Sequence, residues 1–316
     1  MATNADARVW RTVTADPRAA LDHGLGPADL QTLLLGVSRS RASAVTPARL
    51  MRRWRDDRYV RPAASDPRRL WQLEARLWQL LPAEFAGVEL SPVAPLGTSS
   101  AVAPVSQDLV ISTVRGSEVV SDPTNALALE AAVRRKESGR DAVHLASCHR
   151  VLRGQPFDAP GVFQHFRLFA LVSSARDQGS GTTEAAMLTA HLRFWSRALS
   201  DLLPGRPVAV EFTVFGFPPL DDRMRDTVLP ALRPLPERVT IAEDPARERA
   251  RGYYERGAIR IDVAGDTETV DTDAVDTDAV EVGDGGFTSW TAKLLGDAKE
   301  RCFISCASTE RLAALR

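Results

Sequence analysis

Cysteine is scarce in this chain of 316 residues: Cys148, Cys302 and Cys306 are the only ones. An odd count of three excludes a fully paired disulfide framework. Cys302 and Cys306 lie four apart on a predicted strand and so face one way, but no His/Cys pair has metal-site spacing. All three therefore read as small buried hydrophobes. Long apolar runs are also missing. Nothing approaches the ~20 apolar residues needed to span a bilayer, and the N-terminus lacks the charged-then-apolar pattern of a secretion signal. A cytoplasmic protein with no membrane partner is expected. A charge imbalance is absent too, since 40 Lys and Arg against 41 Asp and Glu leave a net charge of −1. That excludes the overall basic excess of a surface built for nucleic-acid phosphates. His144, His149, His165 and His191 form no HExxH, and neither a GxSxG elbow nor a Walker A segment occurs.

What is present is a hydrophobic content of 44%, enough for one large α/β domain preceded by a helical extension. Residues 1–65 read as that extension. One helix starts after Gly26-Pro27 with Leu30, Leu33 and Leu34 on a common face, and a second starts at Thr46-Pro47, an N-cap followed by a first-turn proline. Its basic run, Ala48 to Arg61, and a second one, Ala132 to Arg140, both read as solvated helix faces. The stretch Asp262 to Asp284 repeats VDTDA and holds many acids with no basic or aromatic residue. It lacks the glycine and terminal glutamate of a calcium loop. An exposed acidic hairpin or loose insertion at about 262–284 is expected.

Three segments carry the chemistry. The first, Asp66 to Leu81, has Leu70, Leu73, Leu77, Leu80 and Leu81 at helical spacing and runs, within Glu84 to Gly97, into an apolar strand that ends in Pro92. The second, His149 to Leu171, reads as strand, Pro/Gly-broken loop and strand, with Arg150 near its start and Gln164, His165 and Phe166 on the return. An arginine suits a phosphate site because its planar fork grips two oxygens at once. The third, Arg301 to Leu315, is an apolar strand leading into Glu310, Arg311 and a short helix.

In this order the segments resemble motifs 1, 2 and 3 of the class II aminoacyl-tRNA synthetases, and the chain looks most like the catalytic core of histidyl-tRNA synthetase. The resemblance extends to Val119–Ala132, to the helix Thr182–Leu199, to the arginine and tyrosine segment Ala246–Val263 and to the glycine-pair turn Gly283–Gly296. It covers residues 66–316. It implies an α/β (α+β) fold, an antiparallel sheet flanked by helices, and a homodimer through the motif 1 helix. It further implies ATP with Mg²⁺, bound by Arg150 on the α-phosphate, Phe166 on adenine, Glu310 nearby, and Arg311 on the far face of adenine and the γ-phosphate. Asp122 and Thr124 would receive the substrate amino group, and Tyr253, Tyr254, Gly285 and Gly286 would line the substrate. Arg249 or Arg251 takes the place of the family's catalytic arginine, and the choice between them stays open.

Departures from the pattern limit what is carried over. The adenine-reading glutamate two residues after the motif 2 arginine is replaced by Leu152. No arginine of the loop Phe157 to Gly161 matches the family's second one. The residues that grip histidine fall on Leu168 and Val172, and an unmet buried imidazole donor would cost on the order of a few kcal/mol. A substrate other than histidine follows. Ile304 and Ser308 replace the motif 3 glycines, and only five residues follow Arg311, where the family continues into an anticodon-binding domain. Anticodon recognition is not expected. Two functions fit: ATP-dependent adenylation of a small amino or carboxylic acid, with transfer to an amine, a carrier protein or a tRNA end, or a non-catalytic paralogue serving as a regulatory or metabolite-binding subunit.

Overall fold

A computed structural model describes residues 11, 13, 16–139, 141–155, 163–265 and 279–316. The motif 2 loop at Phe157 to Gly161 and most of the VDTDA repeat lie outside the described residues. The extension forms helices α1 (Pro27–Ser43) and α2 (Pro47–Asp56), the latter capped by Thr46, whose hydroxyl accepts the Arg49 N–H. Helix α3 (Pro67–Leu80) begins at an Asp66 cap and buries Leu70, Leu73 and Leu77 along one stripe. Among the described residues no helix is long and apolar enough to cross a membrane.

The centre is an eight-stranded sheet in the order β1 (Phe85–Gly87), β4 (Val143–Leu152), β5 (His165–Arg176), β10 (Glu300–Ser308), β9 (Ala279–Thr288), β8 (Gly257–Ala264), β6 (Val208–Val214), β7 (Val239–Glu243). The six inner strands run antiparallel, and β1 and β7 join the two edges in parallel. The stretch Glu84 to Gly97 holds the strand expected to end at Pro92, which stops at Gly87 instead, and a second short strand beyond the proline. The first is β1, and the second, β2 (Val93–Pro95), pairs with β3 (Ser117–Val119) in a separate ribbon.

Helices cover both faces of the sheet. On the back, α3, α5 (Thr182–Leu202) and α7 (Thr309–Leu315) enclose Phe169 and Leu171 of β5 with Trp195, Leu192 and Leu312. On the front, α4 (Pro123–Glu137) lays Leu127 and Ala131 over Leu145, Val172 and Ile304, and α6 (Trp290–Leu295) adds Trp290. The run Ala132 to Arg140 is not a wholly solvated face. Arg135 is buried and reaches Glu300 at 2.9 Å, a pair that staples α4 to β10. The acidic stretch also differs at its ends: Asp262 is buried in β8 and Asp284 sits in β9, which pair down to Ala264 opposite Ala279. The ends belong to the central sheet because Val263 and Val282 fill the back-face core.

Candidate functional site

Alternation along β4 and β5 decides which motif 2 residues meet. Arg150 stands opposite Arg167 and Val151 opposite Phe166. Neighbours on a strand point to opposite faces, so Arg150 and Phe166 are on different sides of the sheet. Arg167 turns back to Glu74 of α3 at 2.6 Å, whereas Phe166 packs on the front beside Val151 and Leu168. Arg150 is held on the back by Glu310 at 2.9 Å and by His165 Nδ1 at 2.9 Å. The structure therefore separates Arg150 and Glu310 from the aromatic they were expected to accompany, and the two form a structural ion pair.

Arg153, three residues further on, faces the front. Its guanidinium lies over the Phe166 ring at 5.0 Å, donates to the Ser121 carbonyl at 3.0 Å and pairs with Asp122 at 3.3 Å. Counting from Arg153, the place two residues on falls on Gln155, a polar group, rather than on Leu152. The signal was visible in the sequence as two arginines three apart, one on each face of a strand. Asp122 is also the N-cap of α4, and its Oδ1 accepts both the amide and the hydroxyl of Thr124. Thr124 is buried and its hydroxyl donates to that cap, so what it keeps toward an amino group is the oxygen's acceptor lone pairs.

Behind Arg153 a second polar cluster crosses from β9 to β10. Tyr254 Oη donates to Asp284 Oδ2 at 3.1 Å, and the Cys306 thiol approaches Oδ1 at 3.8 Å. Asp284 keeps part of its surface in solvent but is so densely surrounded that burial raises its pKa, with the charge of Asp122 acting the same way. Burial likewise raises the Tyr253, Tyr254 and Cys306 groups, reinforced by Asp122 and Asp284. These mutual effects place Asp122, Arg153, Tyr253, Asp284 and Cys306 in one neighbourhood. Cys306 thus has a polar role that a hydrophobic reading missed. Tyr253 packs edge-on against Tyr254 and Trp290 at centroid distances of 5.0 and 5.8 Å.

The glycine pair serves packing. A Cβ on Gly286 would lie 2.4 Å from the Tyr254 ring, and one on Gly285 would lie 2.5 Å from the Ile304 carbonyl oxygen. Glycine lets the Tyr254 ring and β10 approach β9 closely. Of the two arginines offered for catalysis, Arg249 pairs with Glu281 at 2.7 Å and Arg251 rests over Phe215 at 5.2 Å, and both are largely exposed. Arg311 is exposed in the first turn of α7, donating to the Glu281 carbonyl at 2.6 Å. The residue that sequence reasoning missed is Arg247. It is only 9% exposed, its Nε donates to the Arg249 carbonyl, and its Nη1 has no hydrogen-bond partner among the described residues. Its charge reaches Asp284 and lowers that group's pKa against the effect of burial. An unmet guanidinium donor away from water is costly, and a carboxylate or phosphate oxygen would satisfy it.

Val172 and Leu168, expected at a substrate-gripping place, are 0% and 5% exposed and packed in the front-face core. Among the described residues no three His, Cys, Asp or Glu side chains are grouped to hold a metal ion. Mg²⁺ at such a site would depend chiefly on nucleotide phosphates.

No family model and no curated protein sequence matches the chain. Solved structures do. Apo histidyl-tRNA synthetase of S. aureus superposes with a TM-score of 0.55 at 13% identity, over 81% of this chain and 68% of that one. The fold is that of a class II synthetase core. The histidine–tRNA ligase subunit of Alicyclobacillus acidocaldarius matches this core with a TM-score of 0.53 at 15% identity, over 81% of this chain and 96% of its own. A Bacillus halodurans protein described as an ATP phosphoribosyltransferase regulatory subunit/histidyl-tRNA synthetase gives 0.55 at 11%, over 81% and 82%. At such identities the class II core is shared as a fold, and its chemistry has to be argued from its own residues.

Proposed function

We propose that the front face of this class II core binds ATP and activates a small amino or carboxylic acid other than histidine by adenylation. The observation that supports this most is the Arg153 guanidinium over the Phe166 ring, tied to Asp122 at the mouth of α4. A flat aromatic and a fixed cation on one face suit a base and its α-phosphate. In the reaction a substrate carboxylate oxygen bonds to the α-phosphorus while the bond to the bridging oxygen breaks and pyrophosphate leaves. Mg²⁺ neutralises charge on the phosphates when bound. The protein supplies orientation and positive charge without a nucleophile of its own. Arg153 holds the α-phosphate, Arg311 meets the distal phosphates, and Gln155 reads the base edge. Arg247 offers its unmet donor to the substrate carboxylate, and Asp284 and Asp122 are the carboxylates facing an amino group. The acyl group then passes to an amine, a carrier protein or a tRNA end. Two copies pairing through α3 fit its outward Trp71, which is 70% exposed.

A second reading, a metabolite-binding subunit without chemistry, is favoured by one observation: Asp122 Oδ1 is taken up by the α4 cap, which removes part of the expected amino-group receptor. Calorimetric titration with ATP and Mg²⁺ separates the two. Under the ligase reading Arg153→Ala and Phe166→Ala abolish binding, Arg150→Ala retains it, and a screen of acids finds one that releases pyrophosphate. An intact protein that fails to bind ATP overturns the ligase reading and favours the second.

A further inference from the structure

The extension ends in a short segment that touches the site hairpin on both of its strands. Helix α2 stops at an Asp57-nucleated turn: the Asp57 carboxylate accepts the Tyr59 amide at 3.0 Å, and its carbonyl accepts the amides of Val60 and Arg61, both at 3.2 Å. This local hydrogen bonding fixes the direction of Tyr59. Tyr59 Oη donates to the Gly154 carbonyl at 2.9 Å, the residue directly after Arg153. Two residues on, the Arg61 carbonyl accepts from His165 Nε2 at 2.8 Å, the residue directly before Phe166. Arg150 can only donate, so His165 Nδ1 accepts from it and Nε2 carries the proton toward Arg61. Gly154 is gripped from its other side as well. Its amide donates to the Leu109 carbonyl at 2.8 Å, and a Cβ there would stand 2.9 Å from that carbonyl.

We infer that residues 59–61 are a clamp that positions the front-face site, with Tyr59 and His165 as positioning residues for Arg153 and Phe166. Among the described residues of the extension, these two are the side-chain hydrogen bonds that reach the hairpin. The two contacts straddle the two residues that would hold base and phosphate, one peptide away on each strand. A hairpin end left to itself frays, and Arg153 would then sample several directions instead of lying over Phe166. The clamp also runs across the sheet, because His165 is bonded to Arg150, and Arg150 to Glu310 of α7. This gives Arg150 a defined task on the back face: it carries the anchor of the extension.

The ligand side of this inference rests on the proposed ATP site, and the structural side does not, so two readouts are taken together. Tyr59→Phe removes one hydroxyl and keeps the ring. His165→Ala removes the other contact. Arg58→Ala, which takes away a donor to Tyr59 Oη while leaving the Tyr59–Gly154 bond, is the control. Amide exchange in the ligand-free protein is expected to quicken about fivefold or more at residues 153–155 and 163–166 in the first two variants, the size one hydrogen bond supports. Wild-type rates are expected in the control, with the melting temperature nearly constant in all three. ATP affinity, read by calorimetry, is expected to weaken by a similar factor in the two clamp variants. Unchanged exchange in both would overturn the clamp. Faster exchange with unchanged ATP affinity would overturn its positioning role. A wild-type protein that binds no ATP sinks the functional reading, and exchange alone then decides whether the clamp exists.

Discussion

The two faces of the central sheet differ in how completely their polar groups are satisfied. On the back, polar side chains close on one another: Ser173 joins His144 and His191, and His191 Nδ1 and the Trp195 indole both meet Ser305. The apolar remainder is shut under three helices. On the front, charged groups gather that packing does not use up: among the described residues Arg247 Nη1 is unmatched and Asp284 is bonded by a tyrosine and a thiol. Apart from Ser196 Oγ and the second oxygen of Glu184 on α5, the described back-face polar atoms are matched, and no positive charge there is left unmet, so that face has chiefly stability to give. The other holds donors in reserve for a ligand, which is the pattern expected of a site.

Paired substitutions on β5 test this contrast most strongly. Phe169→Ala on the back removes a fully buried ring packed against Trp78, Phe194 and Trp195 and is expected to cost about 3–5 kcal/mol in denaturant melts. Phe166→Ala on the front is expected to cost well under half of that and to remove ATP binding. Equal costs would break the comparison. Acid is the next lever. Burial holds His191 well below its ordinary value of 6.5, so as pH falls through that value the unfolded chain takes up a proton that the folded one refuses. Stability is then lost toward acid, on the order of 2 kcal/mol between about pH 8 and about pH 5, and His191→Gln should flatten the dependence. Arg150→Ala breaks a partly exposed pair and is expected to cost about 1 kcal/mol or less, with nucleotide binding retained and weakened no further than by His165→Ala. Arg153→Ala should do the reverse. The smallest stability effect is expected for Arg247→Met. No partner of Nη1 is lost, so melts should stay within about 1 kcal/mol of wild type, while titration shows acid binding lost. A large destabilisation there would mean that Arg247 is structural.

Much of the fold was legible in the chain. Leu70, Leu73 and Leu77 at helical spacing marked α3, Thr46-Pro47 marked the start of α2, and the apolar run after Arg301 marked β10, because period and capping are local properties. The site was legible only in part. Tyr254, Asp122 and Phe166 come to the front face, whereas Arg150 and Glu310 pair with each other on the back and Gly285 and Gly286 allow close packing. Arg247 and Asp284 carry no local pattern that separates them from ordinary surface charges, and only their neighbours make them unusual.

The sequence by itself determined the kinds of element, their order and the resemblance to a class II core, since each follows from residues within a turn or two of one another. Tertiary structure decided which arginine faces the site. Arg150 and Arg153 are three apart on one strand end, and whichever points forward depends on the register with β5 that places Arg150 opposite Arg167. It also brought Tyr59 to Gly154 across 95 positions of chain. Such contacts are set by how the sheet and the extension pack together, and that packing is a property of the whole core, which no single segment encodes.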